Sequence, residues 1–158
     1  MEKLITLERD YHFYNDGGKF ICQFELDGNV VSMKKVVVHE DMSEETLCFT
    51  ADVYFNGKKV GVAKNNGCGG CANFYGTDDE YVKDFYQFSN DVIPKQNKYC
   101  FPKWKMNLFD MLDCLANYQY DCNYFEGDIK ELMNYLQCAS RDLELIREEM
   151  LSRLNKTA

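Results

Sequence analysis

Apolar and polar positions follow two different periods along the chain, and the change between them falls near residue 76. Over residues 20–26 the pattern alternates, with Phe20, Cys22, Phe24 and Leu26 on one side, the period-two signature of a half-buried strand. Asp27-Gly28-Asn29 then supplies turn residues, whose side chains and positive φ favour a reversal. Residues 30–39 read as a second strand, rich in β-branched side chains, and end at the mostly acidic break Glu40-Asp41-Met42-Ser43-Glu44-Glu45. Residues 47–55 and 58–63 flank Asn56-Gly57, the dipeptide suited to a two-residue hairpin turn. Such a turn pairs Phe55 with Lys58, Val53 with Val60 and Ala51 with Val62. That register gathers Ala51, Val53, Val60 and Val62 on one apolar face.

Beyond residue 76 the period becomes helical. Thr77-Asp78-Asp79-Glu80 has the form of a capping box, followed by a stripe of Tyr81, Phe85, Phe88 and Val92 and a stop at Pro94. Asn107 is placed to cap a second helix with Leu108, Met111, Leu112 and Leu115 inward, and Asp128 opens a third. In that third helix Ile129, Leu132, Leu136, Ala139, Leu143, Ile146 and Met150 recur at spacings of 3, 4, 3, 4, 3 and 4. This is a heptad seam. It has two candidate partners: the helix over residues 108–123, as an antiparallel hairpin, or a second chain, either another copy or a target. The stretch from Pro94 to Pro102 is too short to separate domains, and Tyr99, Phe101 and Trp104 around it suit anchoring a loop on the sheet. The expectation is a single α+β domain over residues 1–158: an antiparallel sheet in residues 1–76, covered by about three helices in residues 77–158, the last long and heptad-patterned.

Composition narrows the function. Acidic residues outnumber basic ones 26 to 18, giving a net charge of −8, and no basic patch of the kind that holds a duplex is visible. The expected partner is therefore a protein with a basic surface, not nucleic acid, because complementary charge speeds encounter. No apolar run reaches the roughly 20 residues that span a bilayer. The opening MEKLITLERDYHFY has charges on both sides of a short apolar patch, unlike a signal peptide. A cytoplasmic, reducing location follows as an expectation, and with it eight reduced cysteines instead of a disulfide framework. Cys22, Cys48, Cys100 and Cys114 have apolar neighbours and read as small core residues.

Cys68 and Cys71 are different, because they stand as CxxC in the glycine- and asparagine-rich loop Asn65 to Asn73. Four readings compete. A zinc half-site would use both thiolates, but a second close ligand pair is missing from the sequence. A redox centre would want the cysteines at a helix amino terminus. An anion or nucleotide cradle would use the backbone of Asn65, Asn66, Gly67, Gly69 and Gly70 as a nest, although the Lys-Ser/Thr ending of a P-loop is lacking. The fourth reading is structural, a tight loop in which these residues supply positive φ. Two histidines and no recognised nucleophile–base motif leave no catalytic set, so the expectation is a non-enzymatic protein with no catalytic residue and no cofactor other than the zinc alternative.

Phe49-Thr50-Ala51-Asp52-Val53-Tyr54-Phe55-Asn56-Gly57-Lys58-Lys59-Val60-Gly61, with Asn65 and the glycines that follow, resembles a segment of small phage and bacterial mobile-element proteins. The resemblance covers residues 49–75, leaves out the cysteines, and carries no activity with it. It implies a context: a cytosolic protein that binds and inhibits a host protein such as a defence nuclease, in the manner of an anti-CRISPR protein. Candidate partner-binding residues are the acidic Asp78, Asp79 and Glu80 and the seam residues Leu143, Ile146 and Met150, which also offer a homodimer interface.

Overall fold

The strands β1 (Glu2–Leu7), β2 (Tyr11–Asp16), β3 (Lys19–Leu26), β4 (Asn29–Val38), β5 (Phe49–Phe55), β6 (Lys58–Asn65) and β7 (Asn73–Gly76) form one sheet in chain order. Every neighbouring pair is antiparallel. Three helices follow, α1 (Val82–Asp91), α2 (Leu108–Tyr124) and α3 (Ile129–Thr157), so the α+β expectation holds. The computed structural model describes residues 1–91 and 107–157, without the side chains of Arg147, Met150, Leu151 and residues 154–157. Val92, Pro94, Cys100 and the Tyr99, Phe101 and Trp104 cluster lie outside them. Among the described residues no helix is long and apolar enough to cross a membrane.

Alternation makes the sheet one-sided. Tyr11, Phe13, Cys22, Phe24, Val31, Phe49 and Val53 all turn to the same face and are buried. There they join one apolar cluster with Phe85 and Phe88 of α1, Met111, Leu112 and Leu115 of α2, and Leu132 and Leu136 of α3. Aromatic edges lock the layers together. Tyr118 of α2 meets the rings of Tyr11 and Phe13 at centroid distances of 5.0 and 5.4 Å, and Phe55 meets Phe85 and Phe88 at 5.3 and 5.2 Å. Each such pair adds about 0.5–1.5 kcal/mol beyond the area it buries.

The amino-terminal hairpin, β1 and β2, is an element that turn signals do not announce. Its reversal is made by Glu8 and Arg9 at φ of 52° and 72°, a left-handed conformation taken here without glycine. At the Asn56-Gly57 turn, Phe55 pairs with Lys58 as expected, but the rest of the predicted register is corrected. Val53 pairs with Gly61, and Ala51 with Ala63. The bulge inserts Val60, so Val60 and Ala63 are both buried while Val62 passes to the other face beside Asp52. Gly61 makes this register possible: a Cβ there would lie 2.3 Å from the Tyr75 carbonyl oxygen and 2.6 Å from the Phe74 ring. The capping box is also corrected. The Thr77 amide donates to the Val60 carbonyl at 2.9 Å, one residue past the end of β7, and α1 begins only at Val82. The other two caps form as expected, with the Asn107 side chain accepting from the Asp110 amide at 2.9 Å and Asp128 from the Glu131 amide at 3.1 Å.

The sheet opens between β3 and β4. These strands pair only from Gln23–Ser32 to Leu26–Asn29, because Lys35, at φ 53° in a β4 bulge, turns the strand away. The edge of β3 left without a strand is completed by a side chain. Gln119 of α2, only 7% exposed, accepts from the Cys22 amide at 3.0 Å and donates to the Phe20 carbonyl at 3.2 Å. One primary amide thus does the pairing of a missing peptide group. In α3 the seam is buried at Leu132 and Leu136, half-buried at Ala139 and Leu143, and exposed at Ile129 and Ile146. The helix contacts β1. It meets the residue that caps α2 through the Phe125–Tyr135 rings, 5.5 Å apart, and Tyr135 lies near enough to Asp121 of α2 to influence its carboxyl. Burial pushes the Asp121 carboxyl up to about 6, against the lowering effect of the Tyr135 hydroxyl.

Two outcomes are expected. Gln119→Leu strands the Cys22 amide and Phe20 carbonyl in the core, and costs about 2–4 kcal/mol in urea unfolding. Asp121 has a folded pKa above its unfolded value, so the stability it lends is full below about pH 4 and lost as pH rises through about 6. Asp121→Asn, which keeps the acceptor for Tyr135, should therefore be more stable than the natural chain at pH 7. The advantage, about 1–2 kcal/mol after allowance for partial exposure, should fade towards pH 4 when urea midpoints are compared.

Candidate functional site

The loop between β6 and β7 is built around one buried amide. Asn65 ends β6 on the core side of the sheet, opposite Phe49, and is 4% exposed. Its Oδ1 accepts from the Thr46 hydroxyl at 3.0 Å and from the Gly67 amide at 2.8 Å. Its Nδ2 donates to the Gly70 carbonyl at 3.0 Å and to Asp113 Oδ1 of α2 at 2.9 Å. The full hydrogen-bonding capacity of the side chain is used. The second oxygen of Asp113 accepts from the Ala72 amide at 2.8 Å. From the other side, the Gly67 carbonyl receives the amides of Glu44, Glu45 and Thr46 at 3.1, 3.0 and 3.3 Å. Gly67, at φ +83°, packs so closely that a Cβ would lie 2.2 Å from the Met42 carbonyl oxygen.

This is a clasp that ties three segments together: the acidic break after β4, the β6–β7 loop and α2. It engages two of the backbone amides proposed for an anion cradle, those of Gly67 and Gly69, together with that of Cys68. The amides of Gly67, Cys68 and Gly69 donate to Asn65 Oδ1, Asn66 Oδ1 and Thr46 Oγ1. Cys68 and Cys71 point outward and are exposed, and among the described residues no group of three or more His, Cys, Asp and Glu is placed to hold a metal. Neither cysteine opens a helix, since β7 stands between them and α1. Thr46 and Asp113, the two residues that complete the clasp, carry no local signature. Thr46 closes an acidic turn and Asp113 is a polar position beside the apolar stripe of α2.

The chemistry of the other thiols and imidazoles is set by packing. Burial holds the Cys22 thiol well above its ordinary value and lifts Cys122 to about 12, so both stay protonated and inert as nucleophiles at neutral pH. His12 Nδ1 lies 2.8 Å from the Thr6 hydroxyl. Cys48 is buried, as read from its neighbours, Cys114 is only partly buried against the core, and Cys138 is exposed.

The partner-binding candidates separate into two places. Asp78, Asp79 and Glu80 are exposed on the turn that follows β7, one edge of the sheet. Leu143 and Ile146 belong to α3, which contacts β1 at the other edge. Six strand spacings of about 4.8 Å put those edges about 29 Å apart. Leu143 is half-buried and Ile146 41% exposed, and the Met150 side chain lies outside the described residues.

Asn65→Ala removes four hydrogen bonds and leaves Asp113 Oδ1 without its amide donor. A loss of about 2–4 kcal/mol is expected in urea unfolding, whereas Cys68→Ser with Cys71→Ser should leave the midpoint unchanged. No protein-family model, curated protein or solved structure matches the chain.

Proposed function

We propose that the chain is a non-enzymatic interaction protein that works in the cytoplasm by binding and inhibiting a host protein. The resemblance of residues 49–75 to phage and mobile-element proteins supports a defence nuclease, in the anti-CRISPR manner, as the class of target. One observation carries the reading: the apolar seam of α3 continues past the core that covers it. At 1.5 Å per residue, α2 runs for about 26 Å and α3 for about 43 Å. Leu132 and Leu136 are consumed by the fold, but the seam residue Ile146 is 41% exposed next to half-buried Leu143, and its neighbour Leu145, outside the seam, is 57% exposed. Exposed apolar residues on an ordered helix suit helix-to-helix recognition.

The acidic groups outside the seam set the sign of the partner. Glu44, Glu45, Asp78, Asp79 and Glu80 are all exposed and would meet a basic protein surface with favourable steering. A second copy of the chain competes for the same helix face, and the two occupants separate by mass. Leu145→Asp with Ile146→Asp should abolish capture of a defined partner from native-host lysate, or abolish a dimer seen by sedimentation, while the urea midpoint moves by less than about 0.5 kcal/mol. If the natural chain sediments as a monomer and captures nothing that the doubly substituted chain fails to capture, the reading is wrong.

A further inference from the structure

All three helices lie on one face of the sheet, and among the described residues no element crosses the other face. That second face has a pattern of its own. A lysine and a tyrosine on adjoining strands recur three times across it. Lys3 pairs with Tyr14 on β1 and β2. The Lys34 ammonium on β4 lies 4.5 Å from the Tyr54 ring centre on β5. On β6 and β7, Lys64 lies 5.8 Å from the Tyr75 ring centre, and Tyr75 is 57% exposed.

Charge is sorted by the same alternation. In a chain of net charge −8, the register gives this face five lysines, at 3, 19, 34, 59 and 64, against the carboxylates of Asp16, Glu25 and Asp52. Two of those three are already engaged, Asp52 by Lys59 at 3.4 Å and Glu25 by the Tyr14 hydroxyl at 2.5 Å. The absence of a basic patch in the linear sequence therefore does not describe this surface.

We propose that the helix-free face of the sheet binds single-stranded polynucleotide, with lysines taking phosphates and tyrosine rings taking bases. The combination of ammonium groups and accessible rings on an open surface is what such binding requires, because every base has a face that can stack. An acidic peptide would be satisfied by the lysines alone and would give the rings no role. The lysines lying over Tyr54 and Tyr75 would swing from ring to phosphate as a base takes their place. A width of about 29 Å across seven strands accommodates several nucleotides.

The test is fluorescence anisotropy with a labelled oligo-dT and a labelled oligo-U of about 16 nucleotides, starting at about 50 mM salt. The expected result is saturable binding of one or both that weakens steeply with salt, falls about tenfold for Tyr54→Ala with Tyr75→Ala, and is lost for Lys34→Glu with Lys64→Glu, with circular dichroism unchanged. Leu145→Asp with Ile146→Asp should bind the oligonucleotide as the natural chain does, which separates this face from the helix. The arm that binds more tightly identifies DNA or RNA. Absence of binding to both oligonucleotides overturns the proposal. So does equal binding of poly-glutamate with no effect of the tyrosine substitutions, which would assign the face to an acidic protein.

Discussion

The two-residue period of seven consecutive antiparallel strands is the constraint on which this molecule rests. Because successive side chains alternate, every strand sends one set of residues to the helices and the other to the opposite face. The apolar set becomes the core, with Phe13, Phe24, Phe49 and Val53 at or near zero exposure. The polar set becomes a surface whose lysines outnumber its carboxylates, although the chain as a whole is acidic. Both faces follow from the same register, so a one-residue slip would bury lysines and expose phenylalanines together.

A meander of this kind has weak points where strands part, and two buried side-chain amides close them. Gln119 completes the edge of β3 where β4 turns away. Asn65 closes the end of β6 onto Thr46 and Asp113. In both places a planar amide offers the donor and acceptor of a peptide group without the chain having to pass there. Such groups are favourable only when fully paired, since an unmet donor or acceptor in the core costs more than the bond contributes. This explains why the glycine-rich loop is anchored to its neighbours through Asn65, whose four hydrogen bonds are all met.

The surfaces that remain are spread apart. The acidic turn after β7 and the helix that contacts β1 sit at opposite edges of the sheet, so one small ligand cannot touch both. A protein partner can. The exposed end of the α3 seam and the lysine–tyrosine face are physically distinct, the first apolar with flanking charges, the second basic and aromatic. They suit different occupants.

Local physics made much of this legible from the residues alone. The alternation at 20–26, the Asn56-Gly57 turn, the Asn107 and Asp128 caps and the inner stripe of α2 each depend on near neighbours, and each formed as read. The seam of α3 was equally legible as a pattern. Tertiary structure decided everything that depends on distant partners. Gly61 accepts a bulge because Phe74 arrives from another strand, which displaced the simple hairpin register. Thr77 bonds to the Val60 carbonyl of a neighbouring strand, and α1 starts at Val82 instead of directly behind it. Asn65 became the centre of a clasp only through Thr46 and Asp113, which stand 19 and 48 residues away. A sequence states which groups are available, but a hydrogen bond between remote groups exists only once the backbone has brought them within about 3 Å. Charge behaves likewise: its total is written in the composition, and its sign on any one face is set by the fold.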